Sequence, residues 1–372
     1  MAIKKRVNKI APCFENHSFY VMGQPKSGKT SLFYEAMLLH YEREDAGLLI
    51  PFEMGYGHLS VAVATTEDDY GNIKTIVEDW DDFVEIVDDL VENRYTDHKD
   101  VKCIGLDTVG TLVEYSEAES IRISNKRAVK KGKPKVDTIG EAWDGYQRGQ
   151  KYARKLVAEQ IARLRGCGYG MWMLGHTKVK TIKRDGELVG HDELTSDLES
   201  GSFMNIAKDT DFIVMITNEN TVKGDKIVST QRNIRFNGDG FYVAGSRFSK
   251  FLPDTIEYNI FDFLKTYDDA VMKAGNFTKE QLIEERVKHE KKMELKSKKY
   301  IKEDKKNVNN RKKEELGEDL ESIYKRLPKT VRESVTAKMN ELNSSTFEEF
   351  KEALGLEQLE SLMIQLKGVL GE

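Results

Sequence analysis

Residues 23–30 read Gly23-Gln24-Pro25-Lys26-Ser27-Gly28-Lys29-Thr30, and no other segment restricts the fold so sharply. Glycine at the first and sixth places, followed by lysine and a hydroxyl, is the spacing of a loop that wraps phosphate oxygens. Such a loop works only between a strand and a helix. The flanks comply, since Ser18–Met22 is a short apolar run and a helical pattern extends from Gly28 to about Tyr41. Backbone N–H groups and the helix N-terminus then face an anion. Lys29 is expected to reach the β- and γ-phosphates of ATP and Thr30 to ligate Mg2+, with Ser31 next in the helix.

Other apolar runs of strand length follow at Gly47–Phe52, Val101–Leu106, Tyr169–Leu174 and Phe212–Thr217. Helical spacing separates them: Trp80–Val91 carries apolar residues against acidic neighbours, and Ile139–Arg165 reads as a long amphipathic helix. Alternating strands and helices predict an α/β fold with a mostly parallel sheet. Lys226–Phe236 and Phe241–Gly245 flank Asn237-Gly238-Asp239-Gly240, which reads as an antiparallel hairpin at the end of the core.

Side chains at the carboxyl ends of parallel strands are the natural partners of a phosphate loop. Asp107 ends the Val101–Leu106 run and is expected to hold the Mg2+ shell, with Thr108 beside it; an aspartate there also suits a helix N-cap before Val109. Glu53 follows Gly47–Phe52 and is the candidate to orient or deprotonate water. A solvated carboxylate at a loop start is the alternative reading. His176 and Thr177 follow the Tyr169–Leu174 strand, where one of them would touch the γ-phosphate.

With 372 residues the chain has room for one large domain or two ordinary ones. No apolar run approaches the roughly 18–20 residues that cross a bilayer, so no membrane contact is expected. Cys13, Cys103 and Cys167 are isolated, which fits neither a disulfide framework nor a zinc cluster and suggests a cytoplasmic location. Composition shifts near Thr278: Lys279–Glu315 is nearly all charged, with no proline or glycine, and is read as helix. The expected organisation is a core over 1–275, a charged helical linker over 276–315 and a small helical module over 316–372.

These motifs resemble those of RecA-like P-loop ATPases, especially the single-core, phage-encoded recombination ATPases grouped with single-strand annealing proteins. The likeness rests on Gly23–Thr30, Phe52-Glu53, Cys103–Thr108, Met173–Lys178 and Ser246–Pro253, and spans roughly residues 8–270. It implies a RecA-like core, Glu53 as the water-activating glutamate and His176 near the polar sensor position, where many relatives have Gln. It also implies side-by-side homo-oligomers, each site completed by a neighbour's cation; Arg247 or Lys250 fits that role. The implied function is ATP hydrolysis in DNA recombination or single-strand annealing, in a host cytoplasm, with a single-strand binding protein as a further partner. A helicase-like motor uses the same site, and a P-loop small-molecule kinase is the reading from another class.

The family usually has two mobile nucleic-acid loops. Here Asn125–Lys135 follows the Asp107 strand, and Lys178, Lys180, Lys183 and Arg184 follow the His176 strand. Basic side chains there would bind single-stranded DNA through its phosphates. Neither segment contains an aromatic residue to stack on a base.

Overall fold

Apolar runs without polar alternation need cover on both faces, and Ser18–Gly23, Cys103–Asp107 and Gly170–Gly175 are buried at every position. The computed structural model of the chain describes residues 9–68, 70–183, 190–223 and 226–371. In chain order it contains β1 (Ser18–Gly23), α1 (Lys29–Tyr41), β2 (Gly47–Pro51), β3 (Ala62–Val63), β4 (Thr66–Glu67), β5 (Ile73–Lys74), α2 (Trp80–Glu92), β6 (Cys103–Asp107), α3 (Val109–Lys130) and α4 (Arg148–Gly166). These are followed by β7 (Gly170–Gly175), β8 (Thr177–Ile182), β9 (His191–Ser196), α5 (Ser200–Ala207), β10 (Phe212–Lys223), β11 (Lys226–Arg235), β12 (Gly245–Ser246), β13 (Thr255–Glu257), α6 (Ile260–Gly275) and α7 (Lys279–Arg326).

The main sheet runs β13-β11-β10-β1-β7-β6-β2-β3, with β12 paired to the start of β10. From β10 to β3 all neighbours are parallel, whereas β11, β12 and β13 pair antiparallel. The fold is therefore α/β with a mostly parallel sheet and antiparallel strands at one edge, consistent with a P-loop NTPase domain. Alternation in β1 sends Phe19 and Val21 into a core shared with Leu32 and Phe33 of α1 and Phe263 and Tyr267 of α6. Tyr20 points the other way, its hydroxyl 2.7 Å from Ser196 Oγ. Phe19 stacks between Trp172 at 4.5 Å and Phe212 at 4.7 Å. Burying each such ring stabilises the fold by about 1.5–3 kcal/mol. The acidic start of α2 has a local cause: Asp79 accepts from the Asp82 N–H at 2.9 Å, and acids suit the positive end of a helix.

Below β1, His17 Nδ1 lies 2.7 Å from Tyr267 Oη. Burial pushes the His17 pKa from 6.5 down to about 4, with the Asp211 charge opposing the shift. The unfolded chain takes up a proton near pH 6.5 that the folded chain refuses until about pH 4. Stability from this group is thus complete above the unfolded value and is lost as pH falls towards the folded one, by up to about 3 kcal/mol. Urea unfolding across that window is expected to show a steeper loss for the wild type than for His17→Gln; parallel profiles would refute the assignment.

Four expectations need correction. The hairpin is β10–β11, paired from Met215↔Arg235 to Lys223↔Lys226, and residues 224–225 between them lie outside the described residues. At the expected turn Asp239 instead accepts from the N–H groups of Phe241 and Tyr242, and Phe241–Val243 runs beside Leu194. The helix expected from Ile139 begins only at Arg148, because Gly140 and Gly145 weaken the stretch before it and Trp143 and Gln147 are left-handed. Asn125–Lys135 is not wholly a loop. Its first six residues extend α3, which stops where Gly132 takes φ +66° and Lys133 N–H bonds the Ala128 carbonyl. Lys178 and Lys180 lie on β8, paired with β9, rather than in a loop; Lys183 follows, and Arg184 lies outside the described residues.

The chain divides into two units, Met1–Lys298 and Lys299–Glu372. The second is all helical: the end of α7, α8 (Lys329–Glu341), α9 (Phe347–Ala353) and α10 (Leu356–Leu370). Leu320, Ile323 and Leu327 pack with Phe350, Leu354, Leu359, Leu362 and Leu366 in its core. A capping box between Thr346 and Glu349 starts α9. No helix among the described residues is long and apolar enough to cross a membrane, and the three cysteines are buried and form no disulfide among the described residues.

Candidate nucleotide site

Strand register gathers the site. Met22 faces Gly175, Asp107 faces Leu174 and Pro51 faces Asp107 across the parallel ladders. The phosphate loop, His176, Thr108 and Glu53 therefore leave the sheet together at its carboxyl edge.

The loop is curled tightly. A Cβ at Gly23 would collide with Ser27 Oγ and crowd the Ile216 carbonyl at 3.2 Å, so glycine keeps the turn tight. Gly28 takes φ +97°, where a Cβ would meet Tyr258 Oη at 2.9 Å and Arg232 Nη1 at 3.1 Å. Gln24, Pro25 and Lys26 form an exposed rim, Lys26 at φ 65°. Ser27 Oγ is buried with no hydrogen-bond partner among the described residues. Lys29 Nζ donates to the Gly23 and Gln24 carbonyls, each at 3.1 Å. Burial lowers the Lys29 pKa, opposed by the charges of Asp107, Glu53 and Asp197. Ser31 is half-buried in the first turn of α1.

Thr30 Oγ1 donates to Asp107 Oδ2 at 2.6 Å. Burial raises the Asp107 pKa, while the Thr30 hydrogen bond and the Lys29 charge oppose it. A hydroxyl and a carboxylate side by side are the oxygen donors that Mg2+ takes. The orphaned Ser27 hydroxyl, the glycine cradle and this oxygen pair together fit a Mg2+–nucleotide triphosphate.

Glu53 stands across from the loop. Its Oε1 accepts from Thr108 Oγ1 at 2.7 Å and Thr111 Oγ1 at 3.2 Å. Its Oε2 lies 3.4 Å from His176 Nε2, and His176 Nδ1 lies 3.3 Å from Lys29 Nζ. An ammonium only donates, so Nδ1 accepts and the proton sits on Nε2, facing Glu53. Burial alone would raise the Glu53 pKa, but the hydrogen bonds from Thr108, His176 and Thr111 outweigh it and hold the carboxyl below its usual range. His176 thus links the loop lysine to the candidate water-orienting carboxylate.

Arg247 is placed elsewhere. It bonds Asp211 Oδ1 at 3.1 Å and the Lys208 carbonyl at 2.9 Å, and Asp211 in turn accepts from Ser18 N–H. That is the amino end of β1, the opposite edge from its own chain's phosphate loop. Lys250 is exposed on the short turn Ser249–Phe251 that follows.

Sequence reading missed three residues at the loop. Tyr258 Oη donates to the Gly28 carbonyl at 2.8 Å, and the exposed Arg232 lies over the Tyr258 ring at 5.1 Å. Asp197, whose Oδ1 is buried without a partner among the described residues, bonds the His176 carbonyl through its N–H at 3.1 Å. No local motif marks them, since sheet order and the β8–β9 hairpin bring them in.

Compared with known proteins, residues 15–248 match the profile of a family described as an AAA domain. No curated protein matches the chain.

Proposed function

The chain belongs to the AAA-domain family, an AAA/P-loop ATPase-like family, and from that premise we propose that it hydrolyses ATP with Mg2+ in the service of single-stranded DNA recombination or annealing. The observation that carries the hydrolytic part is Glu53, held by Thr108, Thr111 and His176 opposite Lys29. Bound ATP·Mg2+ would supply the phosphoanhydride and neutralise charge on its oxygens. Gly23–Ser31 would hold the phosphates, and Thr30 with Asp107 the metal. Lys29 would meet the γ-phosphoryl oxygens, and Arg232 would bring a second cation to the loop. A carboxylate with a lowered pKa is a poor final proton acceptor at neutral pH, so Glu53 would act chiefly by orienting the attacking water.

The DNA role rests on the resemblance to RecA-like phage ATPases and on the exposed basic residues of 126–135 and of β8. Side-by-side assembly would add a neighbour's Lys250 or Arg247. Lys250 is the freer of the two, with no ion-pair partner among the described residues, because Arg247 is held by Asp211. A single-strand binding protein would share the DNA. The test is ATP turnover with and without single-stranded DNA across a salt series. Stimulation that fades with salt is expected. Turnover indifferent to any nucleic acid would overturn the DNA role and point to a small-molecule acceptor.

A further inference from the structure

The turn between α3 and α4 combines rigidity, strain, positive charge and one fully presented aromatic ring. Trp143, Asp144, Tyr146 and Gln147 all take positive φ, between 55° and 63°. Non-glycine residues rarely stay there unless their surroundings over-determine them, and such residues gather at ligand sites. Here Trp143 is the anchor. Its ring packs against Tyr152 at 4.2 Å and under Arg127 at 4.6 Å, its Nε1–H donates to the Ser120 carbonyl at 3.2 Å, and its backbone N–H donates to Ser124 Oγ at 2.8 Å. Three residues on, Tyr146 is 91% exposed, and its hydroxyl has no partner among the described residues. The Arg148 guanidinium lies 6.0 Å from the Tyr146 ring centre.

Charge says what fits. Residues 126–151 carry eight Lys and Arg against three Asp and Glu, a formal +5 within a chain of net −5. Lys131, Lys135, Arg148 and Lys151 are exposed and have no ion pair among the described residues. An exposed ring among unpaired cations matches a polymer with anionic backbone and open π-faces. A duplex would satisfy the cations but offer the ring no free base.

We propose that Tyr146 is a base-stacking platform for single-stranded nucleic acid, with Arg148, Lys131, Lys135 and Lys151 holding the adjacent phosphates. This rests on the DNA reading above and supplies the aromatic that the basic segments lack. The site also shares an element with the nucleotide site. α3 carries Thr111, which donates to Glu53, in its first turn, and Ser120 and Ser124, which hold Trp143, further along. A bound strand would therefore act on the same helix that orients Glu53.

The test is fluorescence anisotropy of labelled oligothymidylate on the full chain, for wild type, Tyr146→Ala, Tyr146→Phe and Lys135→Ala, at several salt concentrations. Tyr146→Ala is expected to weaken binding roughly ten- to a hundredfold with an unchanged salt slope, and Tyr146→Phe to stay close to wild type. Lys135→Ala is expected to reduce the slope by about 0.7. Tyr146→Ala should keep the wild-type thermal midpoint and its DNA-free ATP turnover, because the ring is exposed and outside the nucleotide site. Unchanged affinity in Tyr146→Ala would overturn the platform and leave the DNA reading standing. An equal loss on duplex DNA would overturn stacking as the cause. A wild type that binds no single strand would overturn both.

Discussion

Lys29→Ala is expected to lower ATP turnover by about 10²–10³-fold, in line with the loss of one preorganised charge donor at a reacting centre. The geometry explains why this residue matters most. The residue is only 6% exposed, yet its nearest partners are two carbonyls and an imidazole, with no direct ion pair among the described residues. Burial already disfavours its charge, so an arriving γ-phosphate gives it a counter-charge that two carbonyls and an imidazole do not. Nucleotide should therefore stabilise the wild type more than the variant. A ligand at a hundred times its Kd adds about 2.7 kcal/mol to stability, and most of that increment should vanish in Lys29→Ala. Thermal unfolding with and without ATP·Mg2+, beside steady-state turnover, measures both effects. Full turnover in the variant would show that residues 23–30 do not hold the reacting phosphate.

Glu53→Gln is expected to reduce kcat by about 10²–10⁴-fold, the usual worth of a positioned acid–base group, while nucleotide affinity stays near wild type. The amide is nearly isosteric, and its oxygen can still accept from Thr108 and Thr111. Its NH2 group would then face His176 Nε2–H, donor against donor, because Nδ1 is committed to Lys29. The variant should therefore lose the water-orienting carboxylate and loosen the His176 link to the loop. Single-turnover hydrolysis together with nucleotide-binding titration separates this from a binding defect. A variant that loses affinity and keeps kcat would place Glu53 in ground-state binding instead.

The two expectations draw on information of different range. Gly23–Thr30 is legible in one line of sequence because the loop needs its glycines, lysine and hydroxyl at fixed local spacing. Asp107 and Glu53 are legible because each follows an apolar run of strand length. The hairpin was misplaced because Asn237–Gly240 has turn chemistry that the chain spends on an aspartate turn, while the pairing of β10 with β11 is set elsewhere. The helix read from Ile139 starts later because its apolar spacing hides Gly140 and Gly145, whose effect shows only once Trp143 is locked onto α3.

By itself, the sequence determined the phosphate loop, the alternation of buried strands with helices, the acidic N-terminus of α2 and the apolar seam of the last helices. All of these follow from contacts between near neighbours along the chain. Tertiary structure alone decided that His176 bridges Lys29 and Glu53, that Arg232 and Tyr258 close over Gly28, and that Tyr146 stands clear on an anchored turn. Those neighbours lie 147, 123 and 230 residues apart in the first three hydrogen bonds. Strand order brings them together, and a strand's place in a sheet depends on every other strand it excludes, not on its own residues.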